Sequence, residues 1–235
     1  MEHHPQSKMA WLSDLRGAAG FLTILPMGRD TEFHPWRMTG FFPLVGLGLG
    51  AILGGMDLLV RMLWPAPLAA VLVVGTLVVL TGALHVDGLA DAGDGLFSHR
   101  SRERILAIMK DSRIGVMGLV SVLLVLACKW GAILALPEHR FLCLLLVPAY
   151  ARLGMLSGMR WLPYGRPEGG TGAGFCGPAS VLRTFWSAGL LVPLSLLLGW
   201  PALWLNIGLV LGCTGLLALY SRVIGCITGD TLGAM

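Results

Sequence analysis

Six stretches of this 235-residue chain, residues 41–63, 67–84, 115–136, 141–157, 184–199 and 202–220, come close to the roughly 20 apolar residues that one membrane-crossing helix needs. Charge agrees with that reading: 13% of the residues are charged, against about 25% in soluble domains, and the mean hydropathy is +0.76. The expected fold is all-α, a polytopic membrane helical bundle of about six transmembrane helices. Residues 1–40 carry charges throughout, and their best apolar piece is broken by Pro26, so no secretory signal is read there. Residues 11–25 read as an N-terminal amphipathic helix on the membrane surface, and His3 and His4 as ordinary tail residues. No linker, low-complexity stretch or repeat divides the chain, so residues 1–235 form a single integral membrane domain.

Lys and Arg set the orientation. The N-tail holds Lys8, Arg16, Arg29 and Arg37, residues 85–114 hold Arg100, Arg102, Arg104, Lys110 and Arg113, and residues 158–183 hold Arg160, Arg166 and Arg183. The intervening turns carry only Arg61, only Arg140 and none. The N-tail, the two long connections and the C-terminal tail with Arg222 are therefore expected on the cytoplasmic side of the membrane. Connections longer than topology requires are where chemistry is sought. Membrane lipid is an expected partner. Nucleic acid is not, since no basic stripe interleaved with aromatics exists. The five cysteines are scattered without a paired spacing and read as small core residues. Glycine-rich spans are able to pack closely between copies, which makes a homo-oligomer compatible with the sequence.

The second connection opens on His85-Val-Asp87-Gly88-Leu-Ala-Asp91-Ala-Gly-Asp94-Gly95. On a helix, Asp87, Asp91 and Asp94 project from one face within two turns. Like charges that close call for a cation among them, and an all-oxygen set selects magnesium or manganese. Gly88 and Gly95 cost helix stability that a plain solvated face would not need. His85 reads as a partner behind the carboxylates or a proton acceptor. Further on, Ser101 is placed to cap a helix bearing Ile105, Leu106, Ile108 and Met109, and Lys110, Asp111 and Arg113 follow as a carboxylate between two cations suited to phosphate oxygens.

The other long connection reads Tyr164-Gly-Arg166-Pro-Glu168-Gly-Gly170-Thr-Gly172-Ala-Gly174. Its glycines allow backbone N–H groups to approach an anion, but no P-loop pattern is present. The C-terminal Thr228-Gly-Asp230-Thr231-Leu-Gly233 adds another acid between glycines. Within the spans, Asp57 and Arg61 read as an i, i+4 pair. Arg152, with Tyr150 near it, is placed to reach a phosphate, and Lys129 to snorkel outward or pair with Asp57.

Together, Leu84 to Gly95, Ile108-Met-Lys110-Asp111-Ser112-Arg113-Ile-Gly115 and Thr228-Gly-Asp230-Thr231-Leu-Gly233-Ala closely resemble the cobalamin synthase family. Phe21-Leu-Thr-Ile-Leu-Pro26 and Phe42-Pro43-Leu-Val-Gly46 extend the resemblance over essentially the whole chain. At Ile24 the family often has arginine, and relatives usually continue past the position of Met235 into another apolar helix. The resemblance implies a polytopic inner-membrane, Mg2+-dependent phosphotransferase. It would join adenosylcobinamide-GDP to alpha-ribazole or alpha-ribazole 5'-phosphate, releasing GMP at the last stage of cobalamin nucleotide-loop assembly. Asp87, Asp91 and Asp94 would hold magnesium and Asp94 or Asp111 would take the hydroxyl proton. Lys110, Arg113, Arg152, Gly170, Gly172, Asp230 and His85 would bind substrate. The acidic motif also looks like a shorter cousin of that of the CDP-alcohol phosphotransferases, whose terminal G-x-x-x-D-x-x-x-D it lacks. A cation-coupled transporter is the alternative from another class, but it would gather its ionisable residues nearer the midplane.

Overall fold

The computed structural model describes residues 10–28, 34–136, 138–166, 168–170, 172–176 and 180–235. His3, His4, Lys8 and Arg29 lie outside the described residues. Among the described residues every extended regular element is a helix, joined by one isolated bridge between Tyr164 and Ile227. In order these are α1 (Ala10–Leu22), α2 (Pro35–Met38), α3 (Phe42–Arg61), α4 (Ala66–Leu80), α5 (Leu84–Leu96), α6 (Arg102–Ile108), α7 (Val116–Leu134), α8 (Arg140–Trp161), α9 (Val181–Phe185), α10 (Ala188–Ser195), α11 (Pro201–Val223) and α12 (Gly229–Ala234).

The all-α membrane architecture stands, but the expected six spans do not. Among the described residues four helices are long and apolar enough to cross a membrane, Pro35–Arg61, Val116–Leu134, Arg140–Trp161 and Pro201–Val223. α4 and α5 would make a fifth if taken as one, but they meet at 89°. The corner lies at Gly82 and Ala83, whose φ values of +56° and +58° cannot continue a right-handed helix. It is held from outside by the Ile24 amide, which donates to the Leu80 carbonyl at 2.9 Å. The expected span at 184–199 is broken into α9, α10 and a 3-10 turn over Leu196–Leu198. Pro193 inside α10 removes one helical donor and crowds the preceding turn.

The closest helix pair is α3 against α8. Gly46, Gly50 and Gly54 recur every four residues along α3, and a Cβ on Gly46 would lie 2.6 Å from the Pro148 carbonyl oxygen. This small-residue stripe lets the two backbones touch, so these glycines are used within the chain. At the far end of the pair, Arg140 donates from Nε and Nη2 to the two oxygens of Asp57 at 2.7 and 2.8 Å, with both side chains buried. Asp57 therefore pairs with Arg140, not with Arg61 or Lys129: the neighbouring helix offers a bidentate fork inside the core. The Arg140 guanidinium also donates to the Ile133 carbonyl of α7. Tyr150 bonds Asn206 of α11 at 3.1 Å, and Asn206 in turn donates to Ser195. α1 forms where a surface helix is expected, and Asp14 ties it to Arg37 at 3.1 Å while Trp11 stays exposed.

Candidate active site

The glycines of α5 explain how three acids come to share one exposed face. A Cβ on Gly88 would lie 2.7 Å from the Asp230 carbonyl oxygen, one on Gly93 would lie 2.6 Å from Ser121 Oγ, and one on Gly95 would lie 2.7 Å from the Met109 side chain. Each missing side chain lets a neighbour, α12, α7 or the end of α6, sit against the helix. α12 itself is set by a capping box in which the Thr228 hydroxyl accepts from the Thr231 amide and the Thr231 hydroxyl accepts from the Thr228 amide. Asp230 is thereby delivered beside Asp87 and Asp91.

The four carboxylates are not equivalent. Asp94 turns to the N-terminus of α7, where its oxygens accept from the Gly115 and Gly118 amides at 2.6 and 2.7 Å. It caps a helix whose dipole favours an anion there. Asp91 is bound by no such donors. Partial burial first, then the charges of Asp230, Asp87 and Asp94, push its carboxyl up to about 6. Burial also raises Asp230, against the opposing pull of Arg166. Arg166 meets Asp230 at 2.5 Å on Oδ2, the same oxygen that accepts from Thr228, so Oδ1 remains available. The loop reaches this position because the Ile227 amide donates to Pro163 and the Gly165 amide to Ile227, both at 2.8 Å.

Among the described residues no three His, Cys, Asp or Glu side chains come close enough to enclose a metal ion. The expected three-carboxylate cluster is not assembled, because Asp94 is committed to α7. The remaining donors still suit magnesium, which takes one or two carboxylates and completes its sphere with waters and substrate phosphates. They are all oxygen, they repel one another, and Asp87 and Asp230 line one pocket of about 230 Å3. His85, Gly172 and the buried Phe175 line the same pocket, with the Phe21 ring tilted by 43° against that of Phe175, their centroids 4.4 Å apart.

The remaining sequence candidates divide. Lys110 pairs with Glu168 at 2.7 Å and Arg113 with Asp111 at 2.6 Å, all exposed enough to exchange for a ligand. Arg113 holds the Asp111 carboxyl down at about 2, which leaves it little appetite for a proton. Gly170 lies under the Tyr164 hydroxyl and does not line the pocket, whereas Gly172 does. Arg152 is buried in α8 and its Nη2 lies 3.1 Å from His85 Nε2. Arginine only donates, so that nitrogen accepts, and His85 is spent on Arg152. Ser101 precedes α6, but its side chain makes no capping bond. In the sequence Arg166 is only one loop cation among several, because its carboxylate partner Asp230 lies 64 residues away.

Fold and site define an integral membrane protein of the helical class that carries an oxygen-donor acidic face beside a small pocket. The chain belongs to the cobalamin-5-phosphate synthase family, whose family model matches residues 14–235. It is 37% identical over 230 residues to the adenosylcobinamide-GDP ribazoletransferase of Geotalea daltonii, covering 93% of this chain and 90% of that one. It is 38% identical over 231 residues to that of Bradyrhizobium diazoefficiens (95% and 88%) and 40% identical over 227 residues to that of Klebsiella pneumoniae strain 342 (92% of each). No solved structure matches the chain.

Proposed function

We propose that this chain is an adenosylcobinamide-GDP ribazoletransferase, a magnesium-dependent enzyme of the bacterial inner membrane whose acidic face lies on the cytoplasmic side. The observation that carries the mechanism is the unequal set of carboxylates: Asp87 and Asp230 share a pocket wall, while Asp91 stands beside them with a raised carboxyl. The hydroxyl oxygen of alpha-ribazole, or of its 5'-phosphate, attacks the corrinoid-side phosphorus of the diphosphate. A new P–O bond forms, the bond to the bridging oxygen breaks, and GMP leaves with that oxygen. Catalysis of this kind is mostly positioning and charge neutralisation.

Asp87 and Asp230 would hold a magnesium ion, which supplies positive charge to the diphosphate oxygens. Asp91 accepts the hydroxyl proton, a task suited to a group poised near neutrality. Asp94 and Asp111, the sequence candidates for that task, are occupied by amides and by Arg113. Arg166 steadies Asp230, Lys110 and Arg113 exchange their surface carboxylates for phosphate oxygens, and Gly172 gives the substrate close access to backbone. Lys and Arg dominate the connections on this side, which supports the cytoplasmic orientation.

The test is to incubate the purified protein with adenosylcobinamide-GDP, alpha-ribazole and magnesium, with and without chelator, and follow GMP and the cobalamin product by mass spectrometry. Both products are expected in equal amounts and only without chelator. GMP formed without cobalamin, or product formed equally well with chelator, would reject the corresponding part of the reading.

A further inference from the structure

α7 packs mainly on α4 and α5 and meets α8 near the Arg140–Ile133 hydrogen bond, and the space left between α7 and α8 is a cavity of about 460 Å3. Its walls are aliphatic, from Leu53 and Val73 to Val122, Leu126 and Val147, and among the described residues no Asp or Glu side chain lines it. Three basic side chains do: Arg152, Lys129 and His85. Arg152 is 3% exposed, donates to the Pro148 carbonyl and His85, and keeps a buried Nε with no partner. It sits more than two turns from either end of α8, whereas Lys129 is exposed and lies five residues from the Leu134 end of α7. A cation at the depth of Arg152 without a carboxylate is costly and marks a ligand site, and Lys129 adds a second positive charge at the cavity's exposed edge. Lys129 and Ala132 keep exposed surface, so the cavity is not sealed. Its ligand has to be anionic at one end and apolar over the rest.

We propose that this cavity binds an anionic lipid, its phosphate on Arg152 and Lys129 and an acyl chain along the aliphatic wall. The shape argues against a small free anion: one polar corner would be satisfied and the remaining apolar volume left empty, which packed interiors avoid. The assignment is independent of the reaction proposed above: the two pockets share His85, Met155 and Gly233 in their walls, but neither Asp87 nor Asp230 lines the cavity.

The experiment is native mass spectrometry of the protein taken from nanodiscs of phosphatidylcholine with phosphatidylglycerol into a neutral detergent. One phosphatidylglycerol per chain is expected to survive washing that strips phosphatidylcholine. Lys129→Gln should reduce its retention about fivefold, and Leu126→Trp, which fills the aliphatic part, should abolish it, while the exposed Arg222→Gln should leave it unchanged. The melting midpoint of each variant reports folding, and Leu126→Trp decides the matter if Lys129→Gln does not fold. Equal retention of both lipids, retention unaffected by the cavity variants, or displacement of phosphatidylglycerol by millimolar inorganic phosphate would each overturn the proposal.

Discussion

Asp91 couples activity and stability to pH in opposite directions. Its carboxyl holds a proton up to about 6 in the folded chain, against 3.8 ordinarily. The folded state therefore binds more protons between those values, and its contribution to stability is present below about 4 and lost as pH rises through about 6. Without magnesium, the melting midpoint should fall over that interval, and added magnesium should restore it above pH 6. Turnover should run the other way, declining as pH drops because the proton acceptor must be ionised, with the decline set below about 6 once magnesium offsets the Asp87 and Asp230 charges that raise Asp91. A flat melting profile in Asp91→Asn, with turnover reduced about 10²–10⁴-fold, would tie both effects to this residue. At this scale the sequence was legible as a set of acids but not as a division of labour. Asp87, Asp91 and Asp94 have one side chain and one helical face in common. What separates them is the Gly115 and Gly118 amides more than twenty residues away and Asp230 at the far end of the chain.

Glycines set the packing of elements, and substitutions there test geometry without touching a charge. Gly88→Ala would push α12 from α5, since the added carbon meets the Asp230 backbone. A cost of about 1–3 kcal/mol is expected from such overpacking, with loss of turnover out of proportion to the loss of melting midpoint. Normal turnover in a folded Gly88→Ala would show that Asp230 need not sit against α5. The Asp57–Arg140 pair behaves differently: Asp57→Leu alone strands a buried guanidinium, at about 3–5 kcal/mol. Asp57→Leu combined with Arg140→Met should recover most of that midpoint. The apolar stretches announced most of these helices correctly. Hydropathy failed where backbone conformation, not composition, decided the outcome, at Gly82-Ala83 and at Pro193. It also assigned Asp57 to Arg61, because an i, i+4 rule sees one helix at a time.

For the whole molecule, the charge asymmetry makes a prediction about sidedness. A cysteine at position 102 should be silent to a membrane-impermeant maleimide in intact spheroplasts and react once they are opened, while one at position 138 should react in both. The reverse pattern would invert the proposed topology. The alternation of basic and nearly uncharged connections was readable from the chain because it is a property of composition. The cavity between α7 and α8 was not, because it arises where two helices that touch at one end part along the rest of their length, and no periodicity records an absent contact. The right-angle corner between α4 and α5 has a consequence for traffic. If α4 stands along the bilayer normal, α5 runs flat in the plane of the membrane, and its acids form a rail along the surface, not a gate through it. A bulky substrate then never has to thread the bundle; it can dock, react and depart sideways at one fixed height.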